Sequence, residues 1–175
     1  MLAHGYAGSG ILVDGDSAGG GLALAMTLYM RDHGIELPRM LCLASPWTDL
    51  SASGESYGRN IFNDAIFGSL KKEDAPKYPV PILYAGKADL TDPYLSPAYG
   101  SYEGMPAMLI QTGDTELLLS DSTVVAEKAK QAGVDAECIV YKGMIHTFYV
   151  LLPSCKEGME AWDNIRKFIN RQKKA

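Results

Sequence analysis

Apolar residues fall in four short, nearly uninterrupted runs: Ile11-Leu12-Val13, Met40-Leu41-Cys42-Leu43-Ala44, Ala107-Met108-Leu109-Ile110-Gln111, and Ala136 to Tyr141. Runs of this length without polar alternation are the pattern of strands buried on both faces of a parallel sheet. The first strand is expected over Ile11 to Asp14 and the third ends at Thr112-Gly113. Between these runs the period lengthens to that of a helix. Residues 18 to 33 place Leu22, Ala25, Met26 and Tyr29 on one face, and Gly34 supplies a stop. Ser120 is placed to cap a helix running to Ala132, with Gly133 behind it. A last helix opens at Ser154, with Glu157 completing a capping box and Met159, Trp162, Ile165 and Phe168 or Ile169 forming its stripe. Strand, helix, strand, long excursion, strand, helix, strand, helix is the order of an α/β fold: a parallel sheet of about four strands flanked by helices.

Two segments break the pattern. Residues 1 to 10 read as the end of a preceding element followed by a loop, since Gly5, Gly8 and Gly10 interrupt any helix. From residue 48 to 106 periodicity is lost and Gly, Ser, Pro, Asp, Tyr and Asn dominate. A loop-rich excursion of that length inside one α/β domain spanning 1–175 is usually functional. Short helical turns are expected within it at Asn63 to Leu70 and Lys71 to Ala75.

Composition narrows the function classes. A chain of 175 residues with 47% apolar and 21% charged residues has enough apolar material for one core. No apolar run approaches the ~18 residues of a membrane helix, and the first residues carry no secretory pattern. A net charge of -5, with its basic cluster confined to Arg171–Lys174, argues against nucleic acid and anionic membranes as partners and leaves small neutral substrates. Cys42, Cys138 and Cys155 are odd in number and lack metal-ligand spacing, so they read as reduced thiols of a cytoplasmic protein without a metal.

The chemistry-bearing stretch is Gly15-Asp16-Ser17-Ala18-Gly19-Gly20, between the first strand and first helix. A G-x-S-x-G turn there holds a serine past the strand end, its glycines allowing strand and helix to approach closely. A hydroxyl is a weak nucleophile, so Ser17 needs an imidazole to take its proton and an acid to orient that imidazole. Of three histidines, His33 lies at the far end of the elbow helix and His4 before the strand, at the opposite end of the sheet. His146, in the loop after the fourth strand, is the candidate base. After the third strand, Asp114 and Glu116 compete for the acid, while Asp121 reads as a favourable charge on the following helix dipole. The Ala18 amide is a candidate oxyanion donor, and Trp47, Tyr94, Leu95 and Phe148 are candidate walls of a substrate pocket. Asp49 and Asp92 are expected to hold the excursion together by hydrogen bonds.

These stretches, with Ser45-Pro46-Trp47-Thr48-Asp49-Leu50, Asp92-Pro93-Tyr94-Leu95-Ser96-Pro97 and Gly143-Met144-Ile145-His146, resemble the bacterial hormone-sensitive-lipase-like esterases of the α/β hydrolase fold. The resemblance implies cofactor-independent hydrolysis of short-chain carboxylic esters through an acyl-serine on Ser17. Relatives with G-x-x-E-x-L after this strand use the glutamate as acid, and Gly113 to Leu118 matches, which places Glu116 ahead of Asp114. The resemblance also implies a departure. Four earlier strands, a helical cap and a His-Gly-Gly-Gly oxyanion motif have no counterpart, so the chain is expected to be the C-terminal half of the fold. An uncovered first strand would leave an apolar edge, and a homo-oligomer through that edge follows. Asp14, within the same strand, would then face solvent. The alternative is an inactive remnant that folds and oligomerises.

Overall fold

The computed structural model describes residues 1–69 and 82–174. Four strands, β1 (Leu12–Asp16), β2 (Met40–Ala44), β3 (Ala107–Gly113) and β4 (Ala136–Tyr141), form one sheet in the order β1-β2-β3-β4 with every pair parallel. The register sets Asp16 beside Ala44, Ala44 beside Gln111, and Gly113 beside Tyr141. The loops that leave these strands therefore open at one end of the sheet.

Helices cover both faces. On one, α1 (Ala18–Asp32) and α4 (Leu119–Gln131) bury Leu24, Leu28, Val125 and Ala129 against Leu41, Leu43, Met108 and Ile110. On the other, α5 (Phe148–Leu151) and α6 (Lys156–Gln172) bury Phe148, Tyr149, Ala161, Ile165 and Phe168 against Met40, Cys42, Ala44 and Leu109. Successive residues of β2 thus serve opposite cores, which is why that strand is apolar at every position. Burial raises the Cys42 thiol to about 12, and all three cysteines are free.

Several local expectations are corrected. Strand β1 begins one residue later and runs two further than expected, because the Ser17 amide still donates to Ala44 (2.8 Å) beyond its end. Helix α1 turns a different face inward: of the expected stripe Ala25 alone is buried, Leu22, Met26 and Tyr29 are exposed, and Gly20, Gly21, Leu24 and Leu28 are buried. Both sets carry helical periodicity, and the small residues Gly20 and Gly21 decide between them. A Cβ on Gly20 would lie 2.7 Å from Pro46 Cβ, and one on Gly21 would lie 2.0 Å from the Trp47 carbonyl oxygen. Only residues without side chains permit that approach.

Helix α4 starts at Leu119 without a side-chain cap. Ser120 instead exchanges hydrogen bonds with Ser56, each hydroxyl accepting from the other residue's amide at 3.0 and 2.9 Å, which ties α2 (Glu55–Arg59) to α4. The cap of α6 is Cys155, whose sulfur accepts from the Gly158 amide at 3.2 Å, so the Ser154–Glu157 capping box does not form. Its inward stripe is Gly158, Ala161, Ile165, Phe168 and Gln172, leaving Met159 and Trp162 largely exposed.

The excursion contains α2, α3 (Ile82–Ala85) and a 3-10 turn at Pro97–Tyr99. Asn60 to Ser69 form hydrogen-bonded turns in place of a helix, and the expected turn at Lys71–Ala75 lies outside the described residues. The inversion of α1 is open to a direct check by urea unfolding. Leu24→Ala is expected to cost about 2–5 kcal/mol and Leu22→Ala under ~1 kcal/mol.

Candidate active site

Strand β1 ends where α1 begins, and Ser17 makes the turn with φ 52° and ψ -122°. A non-glycine residue with positive φ stores strain of about 1–3 kcal/mol and persists only where its surroundings hold it. Here the Ser17 carbonyl accepts from the amides of Gly20 (3.1 Å), Gly21 (3.2 Å) and Trp47 (2.8 Å). Close packing within the elbow falls on Gly15, whose Cβ would sit 2.6 Å from the Gly19 carbonyl oxygen. Gly19 itself has room, since its Cβ would meet only Asp16 Oδ1 at 4.0 Å.

His146, in the loop after β4, places Nε2 2.9 Å from Ser17 Oγ and Nδ1 2.8 Å from Glu116 Oε2. Glu116 is fully buried and His146 nearly so. A carboxylate removed from water must be satisfied by donors. The other oxygen of Glu116 accepts from Ser45 Oγ (2.8 Å), Thr112 Oγ1 (2.6 Å) and the Gly113 amide (2.6 Å). Asp114 does not reach the histidine; its Oδ1 accepts from the Gly143 amide at 2.6 Å. The other two histidines stay away. His33 stacks on Tyr29 and bonds its carbonyl at 2.8 Å on the surface, and His4 is exposed in a 3-10 turn.

Beside Ser17 lies an apolar cavity of about 340 Å³, lined by Ala18, Gly19, Gly21, Leu22, Ala25, Trp47, Leu50, Tyr84 and Leu95. Trp47 and Leu95 are therefore where the sequence placed them. Tyr94 and Phe148 are not. The Tyr94 hydroxyl donates to Asp32 at the far end of the 15-residue α1, roughly 20 Å of helix from Ser17, and Phe148 is fully buried in the core between Tyr141 and Tyr149. A different aromatic, Phe67, sets its ring edge-on to His146 at 4.9 Å. Ala18 is the first residue of α1, where helical geometry leaves amides without intrahelical acceptors and adds the positive end of the helix dipole. Among the described residues no cluster of three or more His, Cys, Asp or Glu side chains could hold a metal.

Sequence reasoning missed the residues that fix the acid loop. The Asn60 side-chain Nδ2 donates to the carbonyls of Asp114 and Glu116, each at 2.9 Å. Asp64 Oδ2 accepts from the Leu117 amide at 2.7 Å, while its Oδ1 accepts from Ile66 and Phe67. Their distance in sequence from Glu116, more than fifty residues, hides this link from any local pattern. Asp49 does hold the excursion, accepting from the amides and hydroxyls of Ser51 and Ser53, and Asp92 accepts from the Tyr94 amide. Asp14 is exposed on β1, where partial burial, assisted by neighbouring Asp16, raises its carboxyl.

Asp121 lies in the first turn of α4, as expected, and has a further role there. Its Oδ2 accepts from the amides of Thr48 (2.7 Å) and Asp49 (2.8 Å), locking the loop that carries Trp47 onto α4. Burial, more than these amides offset, pushes its carboxyl up to about 7, with the Asp49 carboxylate adding in the same direction. The native state then holds this proton more tightly than the unfolded chain, so Asp121 lowers stability as pH rises from about 4 to 7. Asp121→Asn keeps an acceptor and removes the titration. Its stability relative to wild type, measured by denaturant unfolding, is expected to rise across that window by up to about 4 kcal/mol.

Residues 2–150 match the model of a family described as having the alpha/beta hydrolase fold. The chain is 33% identical over 175 residues to an esterase from Acinetobacter venetianus, covering 96% of this chain and 54% of that protein. It is 30% identical over 169 residues to an acetyl-hydrolase from Streptomyces hygroscopicus, covering 97% and 55%. Among solved structures, an esterase of the bacterial hormone-sensitive lipase family superimposes with a TM-score of 0.86 at 38% identity, covering 98% of this chain and 56% of that one. An esterase/lipase from an uncultured bacterium gives 0.88 at 32%, covering 99% and 57%. The chain spans about half the length of the curated relatives it matches. With its four parallel strands, covering helices and these relatives, the chain belongs to the α/β hydrolase fold family, alongside the hormone-sensitive-lipase-like esterases.

Proposed function

We propose that this chain carries the reacting groups of a serine hydrolase acting on carboxylic esters. The observation that supports this is the unbroken hydrogen-bonded series Ser17–His146–Glu116, assembled from three loops at one end of a parallel sheet. In this reading His146 Nε2 takes the Ser17 proton as Oγ attacks the ester carbonyl. The Glu116 carboxylate holds Nδ1–H and stabilises the imidazolium. The tetrahedral intermediate puts its oxyanion toward the Ala18 amide. Its collapse breaks the ester C–O bond, and His146 protonates the departing alcohol. Water, activated by the same imidazole, then releases the acid and restores Ser17. The apolar cavity bordered by Trp47 and Leu95 suits the hydrocarbon part of such an ester, and the reaction calls for no cofactor.

A His-Gly-Gly-Gly sequence is not present in residues 1–175, and each oxyanion donor contributes about 10²–10³ in rate. We further infer self-association through β1, which among the described residues pairs with β2 alone, and a reducing, cytoplasmic setting for the three free thiols. Among the described residues no helix is long and apolar enough to cross a membrane.

A fluorophosphonate probe is expected to label Ser17 in wild type and not in Ser17→Ala. Absence of labelling, with no p-nitrophenyl ester hydrolysis above the Ser17→Ala background, would favour a fold that no longer catalyses. Glu116→Gln should lower turnover by about 10²-fold or more, whereas Asp114→Asn should leave it near wild type. Light scattering at micromolar concentration is expected to show a species larger than one chain; a clean monomer rules out association through β1.

A further inference from the structure

We propose that Ser45, the residue that follows β2, is the positioning residue that sets Glu116 against His146. This rests on reading Ser17, His146 and Glu116 as the reacting groups. Ser45 is fully buried and belongs to neither loop that carries those two residues, yet its hydroxyl touches both. Its proton goes to Glu116 Oε1 at 2.8 Å, and its oxygen accepts the amide of Thr147, the residue after His146, at 3.1 Å. One hydroxyl thereby spans the acid loop and the base loop.

The geometry around the carboxylate gives that contact its consequence. Glu116 presents Oε2 to the imidazole, and the orientation of the carboxylate plane follows from what grips Oε1. Two of the three donors on Oε1, Thr112 and Gly113, come from the same strand end as Glu116 and move with it. Ser45 comes from the neighbouring strand, held there by its own amide donating to the Gln111 carbonyl at 2.9 Å. It therefore supplies the fixed reference between the two loops.

Backbone conformation supports the same conclusion. Ser45 has φ 44° and precedes Pro46, and Thr147 across the hydrogen bond has φ 49°. Glycine would adopt either conformation without strain. A serine in the left-handed region is strained and stays there only where its surroundings hold it, and here both hydrogen-bonding capacities of the hydroxyl are used. The same tripeptide reaches the nucleophile as well: Pro46 packs on Gly20, and the Trp47 amide holds the Ser17 carbonyl.

Ser45→Ala removes the hydroxyl, and Ser45→Gly removes it while relieving the backbone, so the pair separates side-chain function from strain. Wild type is expected to show a sharp downfield proton resonance from His146 Nδ1–H, which in both variants broadens into exchange with water. Exchange of the Thr147 amide should accelerate by about tenfold or more, while Thr112→Val, which loses a donor on the same oxygen, leaves it at the wild-type rate. On a short-chain ester, kcat should fall by about 10- to 100-fold, the effect of one hydrogen bond to a charged group, with KM within about twofold. A Ser45→Gly protein that keeps the sharp resonance and the Thr147 protection overturns the proposal, as does one with wild-type kcat. A wild type that shows the resonance and hydrolyses no ester refutes the hydrolase reading alone, and the resonance and exchange data then decide the role of Ser45.

Discussion

A carboxylate held entirely out of water is costly unless every lone pair it exposes is met, and the architecture of this molecule is arranged around meeting those of Glu116. Its donors come from the ends of β2 and β3 and from the loop after β4. Those three segments can converge only if the strands are parallel and in the observed register, with Ala44 beside Gln111 and Gly113 beside Tyr141. The sheet registers the strand ends, and the hydrogen bonds at the carboxylate fix the loops that leave them.

Around that centre the long excursion works as a brace. Asn60 and Asp64 hold the backbone on either side of Glu116, and Asp121 clasps the Thr48–Asp49 backbone from α4. The segment from the end of β2 to Asp64 thus reaches the acid loop, the cavity wall at Trp47 and, through the Trp47 amide, the strained serine. Such cross-links explain how a serine at φ 52° persists: its carbonyl is gripped by three amides, one of them from another loop.

The fold is unevenly covered. β2 and β3 are buried along nearly their whole length, while β1 is half-exposed and α1 turns Leu22, Met26 and Tyr29 outward. The cavity lies on this open side, with Leu22 and Ala25 in its wall. Elbow and cavity therefore adjoin the least protected surface of the sheet.

The sequence alone was sufficient for the strand–helix order, the parallel sheet and the placing of Ser17, His146 and a pair of candidate carboxylates at strand ends, because strand burial and the elbow are local patterns and the other residues follow strand ends. Ranking Glu116 over Asp114 needed the family pattern, since two carboxylates two residues apart look alike until a loop turns one inward and the other toward Gly143. Tertiary structure decided what depends on partners distant in the chain. The inward face of α1 was set by the space beside Pro46 and Trp47, the roles of Ser45, Asn60, Asp64 and Asp121 by loops fifty or more residues away, and the fate of Tyr94 and Phe148 by packing that aromatic character does not encode. A period in the sequence records that a face is apolar. Which neighbour it meets is settled only when the strands are in register.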